Sequence, residues 1–592
     1  MLTIKNISVE PESAPNDGRA AVQLRAGVFT PYDGARITAV EVDLSSLNGA
    51  AAVPLAPDPA RLLAETAEGV YQATIPIPPL ADTGLYELTL TARDSAGNVG
   101  RARASFRVTY QRLDYADGPL APANREALAR LGGRPIVGGN RIEVLVDGDA
   151  AMQKRLELIE RARRQINVMT YLFADEGLSG QLARALLDKA GAGVEVNVML
   201  NADTQLPSSP MATLRMRFHR LLLDLQALGQ KWETRKQRGE KENDWLKSLG
   251  DLGQGRRGVN LLLFSGQMLR DGGVIPAQPS AAAHWLQRLQ RAKRGGEDSD
   301  RLTAFSGPGG LPAWPLLDYA THEKIFVVDG EAAIVGGRNL DDRYFRPWTD
   351  EDLYLEGPLV AQIQQGFLRG FADLAALDKK VQPPTMLAGQ NAPAGELAAQ
   401  FVQSRPWLGE YHALHSLLAA IQMARRRLYI SSQYVILPDS LLRDALRDAA
   451  ARGVDVRILT NSEATAREVG FAASFYISLN YFAELLAAGI RLFEINGHSD
   501  PAAPQPYYHV KEFLIDGEYA AVGSVNLTIR SCYIESENLV NIFDPALTAA
   551  QEKLFLSRLE HDATEITPSY LQRLQEQNKN KMEIARVVEL LY

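Results

Sequence analysis

The sequence predicts a mixed α/β fold that is preceded by an all-β domain. From Asn140 onward, apolar strand patterns alternate with amphipathic helices, and the same order of patterns returns after residue 400. Residues 1–112 instead show short segments of alternating apolar and polar residues, separated by turn residues. A chain of 592 residues is too long for one ordinary domain, so we expect three or four folding units.

The all-β domain ends in a predicted hairpin. The segments YELTLTARD and VGRARASFRVTY alternate in polarity on either side of a turn at 94–98. This hairpin resembles the last hairpin of bacterial immunoglobulin-like or fibronectin-like domains. We therefore predict an immunoglobulin-like β-sandwich over 1–112, which serves either as a spacer or as a docking module for a protein partner or a surface. A linker that contains several Pro and Gly residues follows at 113–139.

The α/β part divides into two halves. In the first half, at 140–382, NRIEVLV, QINVMTYLF and VEVNVML predict strands, and MQKRLELIERAR and SGQLARALLDKA predict helices. A connector at 383–400 leads to the second half at 401–592, where LYISSQYV and VDVRILT predict strands and SLLRDALRDAAA predicts a helix. Helices are also predicted for 550–592. This order predicts an α/β layer structure in each half.

One short segment occurs once in each half. HEKIFVVDGEAAIVGGRN begins at His322, and HVKEFLIDGEYAAVGSVN begins at His509. Counted from each histidine, Lys comes at +2, Asp at +7, Gly at +14, Asn at +17 and a carboxylate at +28. The apolar run closed by Asp-Gly predicts a buried strand and a tight turn, and the following run predicts the return strand of a hairpin. Agreement at all these offsets is far harder to reach by chance than a single His-x-Lys pair.

The repeated residue types suit phosphodiester chemistry. Lys and Asn supply the cationic and amide donors that phosphate oxygens need. Imidazole acts as a nucleophile or as a general acid near neutral pH, and a neighbouring carboxylate orients its ring. Two such sets predict two halves of one phosphate-handling site. This scheme requires neither a metal ion nor another cofactor.

The two segments resemble the paired HxKxxxxD motifs of the phospholipase D superfamily. GGRNLDDRYF and WTDEDLYLEGP are similar to the first half of bacterial cardiolipin synthases, and GSVNLTIRSCYIESEN is similar to the second half. The resemblance covers most of 140–202, 301–378 and 401–545. It implies two pseudo-symmetric phospholipase D-like α/β/α lobes with one site at their junction, so that the catalytic unit is complete in a monomer.

The same resemblance implies a role for each repeated residue. His322 would be the nucleophile that forms a covalent phosphohistidine, and His509 would be the general acid and then the base. Each histidine would be oriented by the carboxylate 28 residues after it, Asp350 or Glu537. Residues that would bind the phosphate or line its site are Lys324, Lys511, Asn339, Asn526, Gly337 and Ser524. Residues with a structural role would be Asp329 and Asp516. The sequence itself is nearly symmetric and does not decide which histidine attacks.

The first half is longer than the second. Tyr171 precedes His322 by 151 residues, whereas the matching Tyr434 precedes His509 by 75. We place the extra residues in a mainly helical insertion within 203–300. Over 210–300, 16 Lys and Arg oppose 10 Asp and Glu, so the insertion is basic. It is either a helical element packed on its own lobe or a lid that contacts anionic lipid.

Charge and composition restrict the class of protein. The net charge of −8 argues against a protein that wraps nucleic acid. The single cysteine, Cys532, excludes an internal disulfide and is expected to be a small packed residue. The sequence has no run of 18 apolar residues and no apolar signal core at its start. We therefore predict a cytoplasmic or peripheral membrane protein, or one that is exported without a cleavable signal.

Two functions follow from the motif. The preferred one is a phospholipase D-type enzyme that cleaves a phospholipid phosphodiester at an anionic membrane surface. It would pass the phosphatidyl group to water or to an alcohol, as in cardiolipin synthesis. The alternative is a phosphodiesterase that acts on nucleic acid, because nucleases of the superfamily share the motif. Neither the head group nor the acceptor follows from the sequence.

Overall fold

A computed structural model describes residues 2–202, 259–271 and 319–586 of the chain. The gaps within these ranges are residues 33, 48–49, 51, 59–67, 116, 175–176, 379–380, 390–391, 438–439, 469–471, 499 and 501–504. The described residues form two compact units. The first contains the chain up to Asp114, and the second contains most of the chain from Tyr115 onward. No helix among the described residues is long and apolar enough to cross a membrane.

The first unit is built from two β-sheets. Its strands are β1 (Thr3–Glu10), β2 (Ser13–Pro15), β3 (Ala21–Phe29), β4 (Ile37–Asp43), β5 (Val53–Pro54), β6 (Ala56–Pro57), β7 (Glu68–Pro76), β8 (Gly84–Asp94) and β9 (Val99–Thr109). Within the described part, one sheet has the order β1-β3-β7-β6 and the other β2-β9-β8-β4-β5. Alternate residues such as Leu88 and Leu90 are buried, and both sheets contribute to one apolar core. The β-rich region is confirmed, whereas its immunoglobulin-like identity stays a prediction.

The predicted hairpin at the end of this unit is confirmed. Strands β8 and β9 pair in antiparallel register from Gly84↔Val108 to Arg93↔Val99. The carboxylate of Asp94 accepts hydrogen bonds from the backbone N–H groups of Ala96 (3.0 Å) and Asn98 (2.9 Å). The turn therefore depends on a side chain that bonds its own backbone, which is why Asp suits this position.

The first half of the second unit forms a mixed sheet. Its strands are β10 (Val137–Leu145), β11 (Gln165–Thr170), β12 (Glu195–Asn201), β13 (Val259–Phe264), β14 (Ala320–Thr321), β15 (Ile325–Val328), β16 (Ala332–Gly336) and β17 (Asp352–Glu356). Strands β11, β12 and β13 pair in parallel. Antiparallel pairs join β11 to β15, β15 to β16, β16 to β17, and β17 to β10. The resulting order is β13-β12-β11-β15-β16-β17-β10.

The second half repeats this arrangement. Its strands are β18 (Leu397–Arg405), β19 (Glu410–Tyr411), β20 (Arg427–Ser431), β21 (Val435–Ile436), β22 (Asp455–Asn461), β23 (Arg491–Ile495), β24 (Glu512–Ile515), β25 (Tyr519–Gly523), β26 (Leu527–Thr528), β27 (Glu535–Ile542) and β28 (Ala563–Glu565). Its main pairings give the order β23-β22-β20-β24-β25-β27-β18, with parallel and antiparallel pairs in the same places. The repeated pattern of the sequence thus appears as the same order of strands.

Two strand pairings connect the halves. Strand β10 pairs with β17 of its own half and also with β18 of the second half. Strand β14 pairs in parallel with β27, so that Ala320 lies beside Glu535. The segment that leads into the first motif is therefore held against the strand that contains the carboxylate of the second motif.

Helices accompany both halves of the sheet. They are α1 (Pro122–Leu131), α2 (Gly148–Arg161), α3 (Gly177–Gly191), α4 (Gly266–Asp271), α5 (Leu359–Ala375), α6 (His412–Met423), α7 (Leu441–Ala451), α8 (Glu463–Glu468), α9 (Ala472–Ala487), α10 (Ile529–Tyr533), α11 (Pro545–His561) and α12 (Pro568–Ala585). The helices predicted for MQKRLELIERAR, SGQLARALLDKA and SLLRDALRDAAA coincide with α2, α3 and α7. Side-chain caps fix several starts: Asp147 accepts from Ala150 N at 2.8 Å, and Asp544 accepts from Leu547 N at 2.7 Å.

The range predicted as a helical insertion contains a strand of the sheet. The apolar run at Val259–Phe264 forms β13 and pairs with β12 along its whole length. The sequence did not reveal this strand, because a short apolar run with buried neighbours on both faces suits a parallel strand as well as a helix. A short helix, α4, follows the strand, and the mainly helical insertion stays a prediction. The remaining parts of the predicted insertion, at 203–258 and 272–300, lie outside the described residues.

The motif aspartates hold the hairpin turns against neighbouring strands. Asp329 has φ 54° and Asp516 has φ 56°, the left-handed conformation that Asp tolerates better than most residues. The Asp329 carboxylate accepts from the backbone N–H groups of Arg163, Arg164 and Gln165, each at 2.8 Å. Asp516 accepts in the same way from residues 425, 426 and 427 at 2.7–2.9 Å. Each carboxylate thereby fixes the start of β11 or β20.

Asp329→Ala is expected to lower the free energy of unfolding of the second unit by about 3–5 kcal/mol, because three hydrogen bonds to a buried carboxylate are lost. Urea unfolding followed by intrinsic fluorescence measures this change. Glu331→Ala, in the same turn but exposed, is the matched control and should change stability by less than about 1 kcal/mol. Equal effects of the two substitutions would contradict the structural role of Asp329.

Candidate active site

The two motifs bring their polar residues together at equivalent ends of the sheet. His322 and Lys324 lie directly before β15, and His509 and Lys511 lie directly before β24. Asn339 and Asn526 follow the return strands β16 and β25. The exposed fraction of these residues is between 1% and 6%. Polar groups are this deeply buried only where they bond one another or a ligand.

Each histidine is held by the carboxylate of the other half. His322 Nδ1 lies 3.0 and 3.1 Å from the two carboxylate oxygens of Glu537, and His509 Nδ1 lies 2.6 Å from Asp350 Oδ2. The sequence offsets had suggested that each carboxylate serves its own motif, and this expectation was wrong. The residue types were identified correctly, but the pairs are exchanged between the halves.

Backbone hydrogen bonds explain the exchange. His322 N donates to Ser536 O at 3.0 Å, directly beside Glu537. His509 N donates to Thr349 O at 2.8 Å, directly beside Asp350. Each motif histidine is therefore bonded to the residue that directly precedes the orienting carboxylate of the opposite half. The exchanged pairs require both halves to be in place at the same time.

The two carboxylates have different surroundings. Glu537 accepts hydrogen bonds from the hydroxyl groups of Ser524 and Ser531 in addition to His322. Asp350 accepts from the backbone N–H of Glu351 at 2.8 Å. Gly337 occupies the position that matches Ser524, and a Cβ atom there would lie 2.1 Å from Asp350 Oδ1. Asp350 thus lies so close to the backbone of residue 337 that this residue has to be glycine. At the matching position in the second half, Ser524 donates a hydrogen bond to Glu537.

These contacts change the predicted role of two residues. Gly337 and Ser524 were expected to bind substrate, but each lies against an orienting carboxylate. Their described contacts indicate that they position Asp350 and Glu537. Ser531 was missed by the sequence reasoning, although it lies within the quoted segment GSVNLTIRSCYIESEN. The matching residue in the first half is Tyr344.

Burial disfavours the charged forms of several titratable groups of the site when no substrate is bound. It lowers the pKa of Lys324 to about 8 and the pKa of Lys511 to about 7. It also raises the pKa of Asp350 to about 7 and holds the pKa of His509 well below its ordinary value. Lys511 Nζ lies 2.8 Å from His509 Nδ1, so it opposes a positive charge on that ring. An anion between the two ammonium groups would favour the charged forms.

The two asparagines differ in their hydrogen bonds. Asn339 Oδ1 accepts from Thr170 Oγ1 at 3.2 Å. Among the described residues, Asn526 Oδ1 has no hydrogen-bond partner although Asn526 is only 3% exposed. Buried amides are normally bonded, and an amide can be turned by 180° without a change in its shape. The Asn526 amide is therefore available to a ligand.

Aromatic rings surround both histidines. The Tyr171 ring meets His322 edge-on, with ring centres 5.3 Å apart. The Tyr344 ring meets His509 edge-on at 4.8 Å, and Trp348 lies 6.0 Å from the same histidine. The sequence reasoning did not predict this role for Tyr344 and Trp348, although both lie between the first motif and Asp350. Such rings limit the directions in which the imidazoles can turn and displace water around them.

One group of described residues has the donor atoms of a metal site. His322, Glu535 and Glu537 bring three such atoms within 4.8 Å of one another. Glu537 already accepts from His322 and from two serine hydroxyls, and Glu535 accepts from Arg530 at 2.5 Å. These bonds use both oxygens of Glu537 and one oxygen of Glu535. The expectation of a metal-free site stays a prediction.

Comparison with known families agrees with the site. The family model described as "Cardiolipin synthase, PLD-like domain" matches residues 156–371 and 417–559, which include both histidines and both orienting carboxylates. Cardiolipin synthase A of Pseudomonas entomophila (strain L48) is 27% identical over 470 residues, covering 78% of this chain and 77% of that protein. Cardiolipin synthase A of Pseudomonas putida (strain F1) is 26% identical, covering 83% of each chain.

Solved structures of related proteins were also found. Phosphatidylserine synthase of Haemophilus influenzae Rd KW20 is 12% identical, with 79% of this chain and 99% of that chain covered and a TM-score of 0.49. Nuc of Salmonella typhimurium, a phospholipase D family member, is 25% identical, with 29% and 99% covered and a TM-score of 0.23. The family assignment rests on the family model, which covers more than half of the sequence. The chain therefore belongs to the phospholipase D-like cardiolipin synthase family and is an enzyme of the phospholipase D superfamily.

Proposed function

We propose that this protein cleaves a phospholipid phosphodiester and transfers the phosphatidyl group through a covalent intermediate on His322. The observation that supports the proposal is the pair of exchanged His–carboxylate contacts, with Lys324 and Lys511 beside them. Two imidazoles with fixed rings and two ammonium groups are what a two-step displacement at phosphorus needs. All of these residues belong to one chain, so we expect a monomer to be sufficient.

In the first step, His322 Nε2 attacks phosphorus while Glu537 holds the proton on Nδ1. A P–N bond forms, and the P–O bond to the head-group alcohol breaks. His509 gives its proton to the departing oxygen, which leaves as the neutral alcohol. Glu537 accepts hydrogen bonds from two hydroxyls as well as from the ring, so it can balance the positive charge that develops on His322.

In the second step, His509 acts as the base. It removes a proton from water or from an acceptor alcohol, the new oxygen attacks phosphorus, and the P–N bond breaks. The product is phosphatidic acid if water is the acceptor, and a new phosphodiester if an alcohol is the acceptor. The glycerol group of a second phosphatidylglycerol would give cardiolipin. The binding energy of the acceptor against that of water decides between the two outcomes.

The phosphate oxygens are expected to contact Lys324, Lys511, Asn339 and Asn526. The two ammonium groups need their protons for this purpose, and their pKa values of about 8 and about 7 place them near the edge of the neutral range. A bound phosphodiester anion raises both pKa values, so kcat is expected to persist at higher pH than kcat/KM. Asp329 and Asp516 contribute through the hairpin turns and not through contact with the substrate.

Lipid turnover tests the proposal directly. Purified protein is incubated with phosphatidylglycerol, phosphatidylethanolamine or cardiolipin in mixed micelles, and separately with single-stranded DNA. We expect release of the head group or formation of a new phospholipid such as cardiolipin. Both activities should be lost in His322→Ala. Cleavage of DNA without turnover of any lipid would replace the proposal by the nuclease alternative.

A basic face of the first unit supports an anionic lipid surface as the partner. On the outer face of β9, Arg101, Arg103 and Arg107 are exposed, and Arg93 is exposed at the end of β8. Glu87 lies 3.6 Å from Arg103, and the partners of the other arginines across β8 and β9 are uncharged: Thr91 for Arg101, Leu85 for Arg107 and Val99 for Arg93. A row of cationic side chains on one strand is complementary to phosphate head groups. A protein partner for this unit stays a prediction.

The triple substitution Arg101→Gln, Arg103→Gln and Arg107→Gln is expected to weaken binding to vesicles with 30% phosphatidylglycerol by roughly a hundredfold, since each Arg near an anionic surface contributes about 1 kcal/mol. Co-sedimentation at low and physiological salt measures this. The control removes three charges from the first unit at Lys5, Arg19 and Arg25 and should have little effect. Equal losses in both variants would mean that only net charge matters.

A further inference from the structure

Two buried carboxylates lie behind the site, on the side away from the histidines. Glu351 directly follows Asp350, and Glu512 directly follows Lys511. Neighbouring residues of extended chain point to opposite faces, so the second residue of each pair turns away when the first enters the site. Both glutamates are 1% exposed. Neither is used by the steps described above.

Helix α11 supplies the partners of both carboxylates. Gln551 Nε2 lies 2.8 Å from Glu351 Oε2 and 3.4 Å from Glu512 Oε2, so a single amide contacts the two groups. Arg558, two helical turns further on, forms an ion pair with Glu351 at 2.8 Å. The pair thus links the entrance of β17 in the first half to the start of β24 in the second half.

A short chain of hydroxyls completes the network. Ser431 Oγ donates to Glu512 Oε1 at 2.9 Å, and Tyr508 OH donates to Ser431 Oγ at 2.8 Å. Arg558 also donates to Tyr508 OH at 3.3 Å. Each residue of the network therefore contacts at least one other member. Tyr508 directly precedes His509, so the network touches the backbone of the second motif as well.

The charges of this network do not balance if both carboxylates are ionised. The titratable and charged groups that face Glu512 are Glu351, Arg558 and Tyr508. Within the described residues, Arg558 is the one cation that pairs with them, and two buried carboxylates beside one guanidinium leave a negative charge uncompensated. Burial and the neighbouring charge of Glu351 raise the pKa of Glu512 to about 8. At neutral pH the pair therefore retains one proton.

The network belongs to one half of the site only. In the matching positions around His322, Ile325 follows Lys324 and Asn538 follows Glu537. Neither residue carries a charge or a titratable proton. The two halves have the same order of strands, so this difference concerns the acid–base histidine specifically.

We infer that Glu351 and Glu512 are positioning residues: a buried pair of carboxyl groups, bridged by Gln551 and carrying one negative charge at neutral pH, fixes Asp350 and Lys511 against His509. Ionisation of Glu512 would place two like charges across the seam between the halves, and their repulsion would move the backbone segments that carry Asp350 and Lys511. The inference rests on the function proposed above. It predicts that the acid–base half of the site loses its geometry at alkaline pH before the nucleophile half does.

The pH profile of kcat at saturating lipid tests this inference. Bound phosphodiester keeps Lys324 and Lys511 protonated, so the alkaline limb of kcat reports other groups. In Glu512→Gln, activity at pH 7 should stay within about threefold of the parent, and the alkaline limb should move up by about one pH unit or more. Glu494→Gln removes another buried carboxyl, whose pKa is raised to about 7 and which accepts from Tyr570, and it should leave the limb unchanged.

Infrared difference spectroscopy provides a measurement without substrate. Between pH 7 and pH 9 the parent protein should lose a carbonyl component that belongs to protonated Glu512, and this component should be absent in Glu512→Gln, whereas the contributions of Asp350 and Glu494 remain in both proteins. It should also be absent in Glu351→Gln, where Glu512 pairs with Arg558 as an anion. An unchanged alkaline limb or an unchanged band in both variants overturns the inference. If no lipid is turned over but the bands behave as expected, the proposed function fails and the protonation of Glu512 at neutral pH stands.

Discussion

His322→Ala is expected to lower lipid turnover by about 10⁴-fold or more, because the proposed nucleophile is lost. His509→Ala should lower it by roughly 10²–10⁴-fold, the usual contribution of a general acid. The two losses should differ in kind. A p-nitrophenyl phosphodiester has a leaving group that departs without a proton, so His509→Ala should form the intermediate from it almost normally, whereas His322→Ala should not.

Rapid quenching of the p-nitrophenyl reaction separates the two histidines further. In His509→Ala the intermediate has no base to activate water, so labelled phosphohistidine should accumulate after a burst of nitrophenol that matches the enzyme concentration. His412→Ala serves as the control, because His412 Nδ1 bonds the backbone oxygen of Leu131 outside the site. A burst in His322→Ala and none in His509→Ala would reverse the assignment of nucleophile and acid.

Glu537→Gln and Asp350→Asn are each expected to lower turnover by roughly 10²–10⁴-fold, because the paired ring loses its orientation and its charge balance. The exchanged contacts predict which step each variant affects. Glu537→Gln should behave like His322→Ala and fail with the activated substrate. Asp350→Asn should behave like His509→Ala and release nitrophenol in a burst.

The combination of single and double variants makes this prediction sharper. His322→Ala with Glu537→Gln should be hardly worse than His322→Ala alone, because the carboxylate acts through the ring that is already missing. The residual turnover of the double variant His322→Ala, Asp350→Asn should be lower than that of His322→Ala alone, because the two substitutions affect different histidines. Coupling within a motif, between His322 and Asp350, would contradict the exchanged arrangement.

Much of the fold could be predicted because the local patterns are strong. The apolar runs closed by Asp-Gly form β15 and β24, and the amphipathic segments form α2, α3 and α7. The fixed offsets identified the residues that meet in the site. Offsets along the chain, however, do not show whether a carboxylate contacts the histidine of its own half or that of the other half. The exchange of Asp350 and Glu537 depends on backbone bonds between the halves, at His322–Ser536 and His509–Thr349.

Other features could not be predicted because they depend on packing. Val259–Phe264 has the apolar composition of either a buried strand or a buried helix, and only its parallel partner β12 decides for the strand. The role of Gly337 follows from the 2.1 Å approach of Asp350 to the space beside it. Glu351 and Glu512 are unremarkable in the sequence, and their relation appears only where Gln551 contacts both.

The exchange of carboxylates also bears on how the protein is made. Before the second half has been synthesised, His322 lacks the carboxylate of Glu537, and Asp350 lacks the ring of His509. Catalytic competence is therefore expected to begin only when β27 docks, late in synthesis. A chain of which only the first half is folded is therefore expected to be inactive, so that activity appears only in the fully folded form.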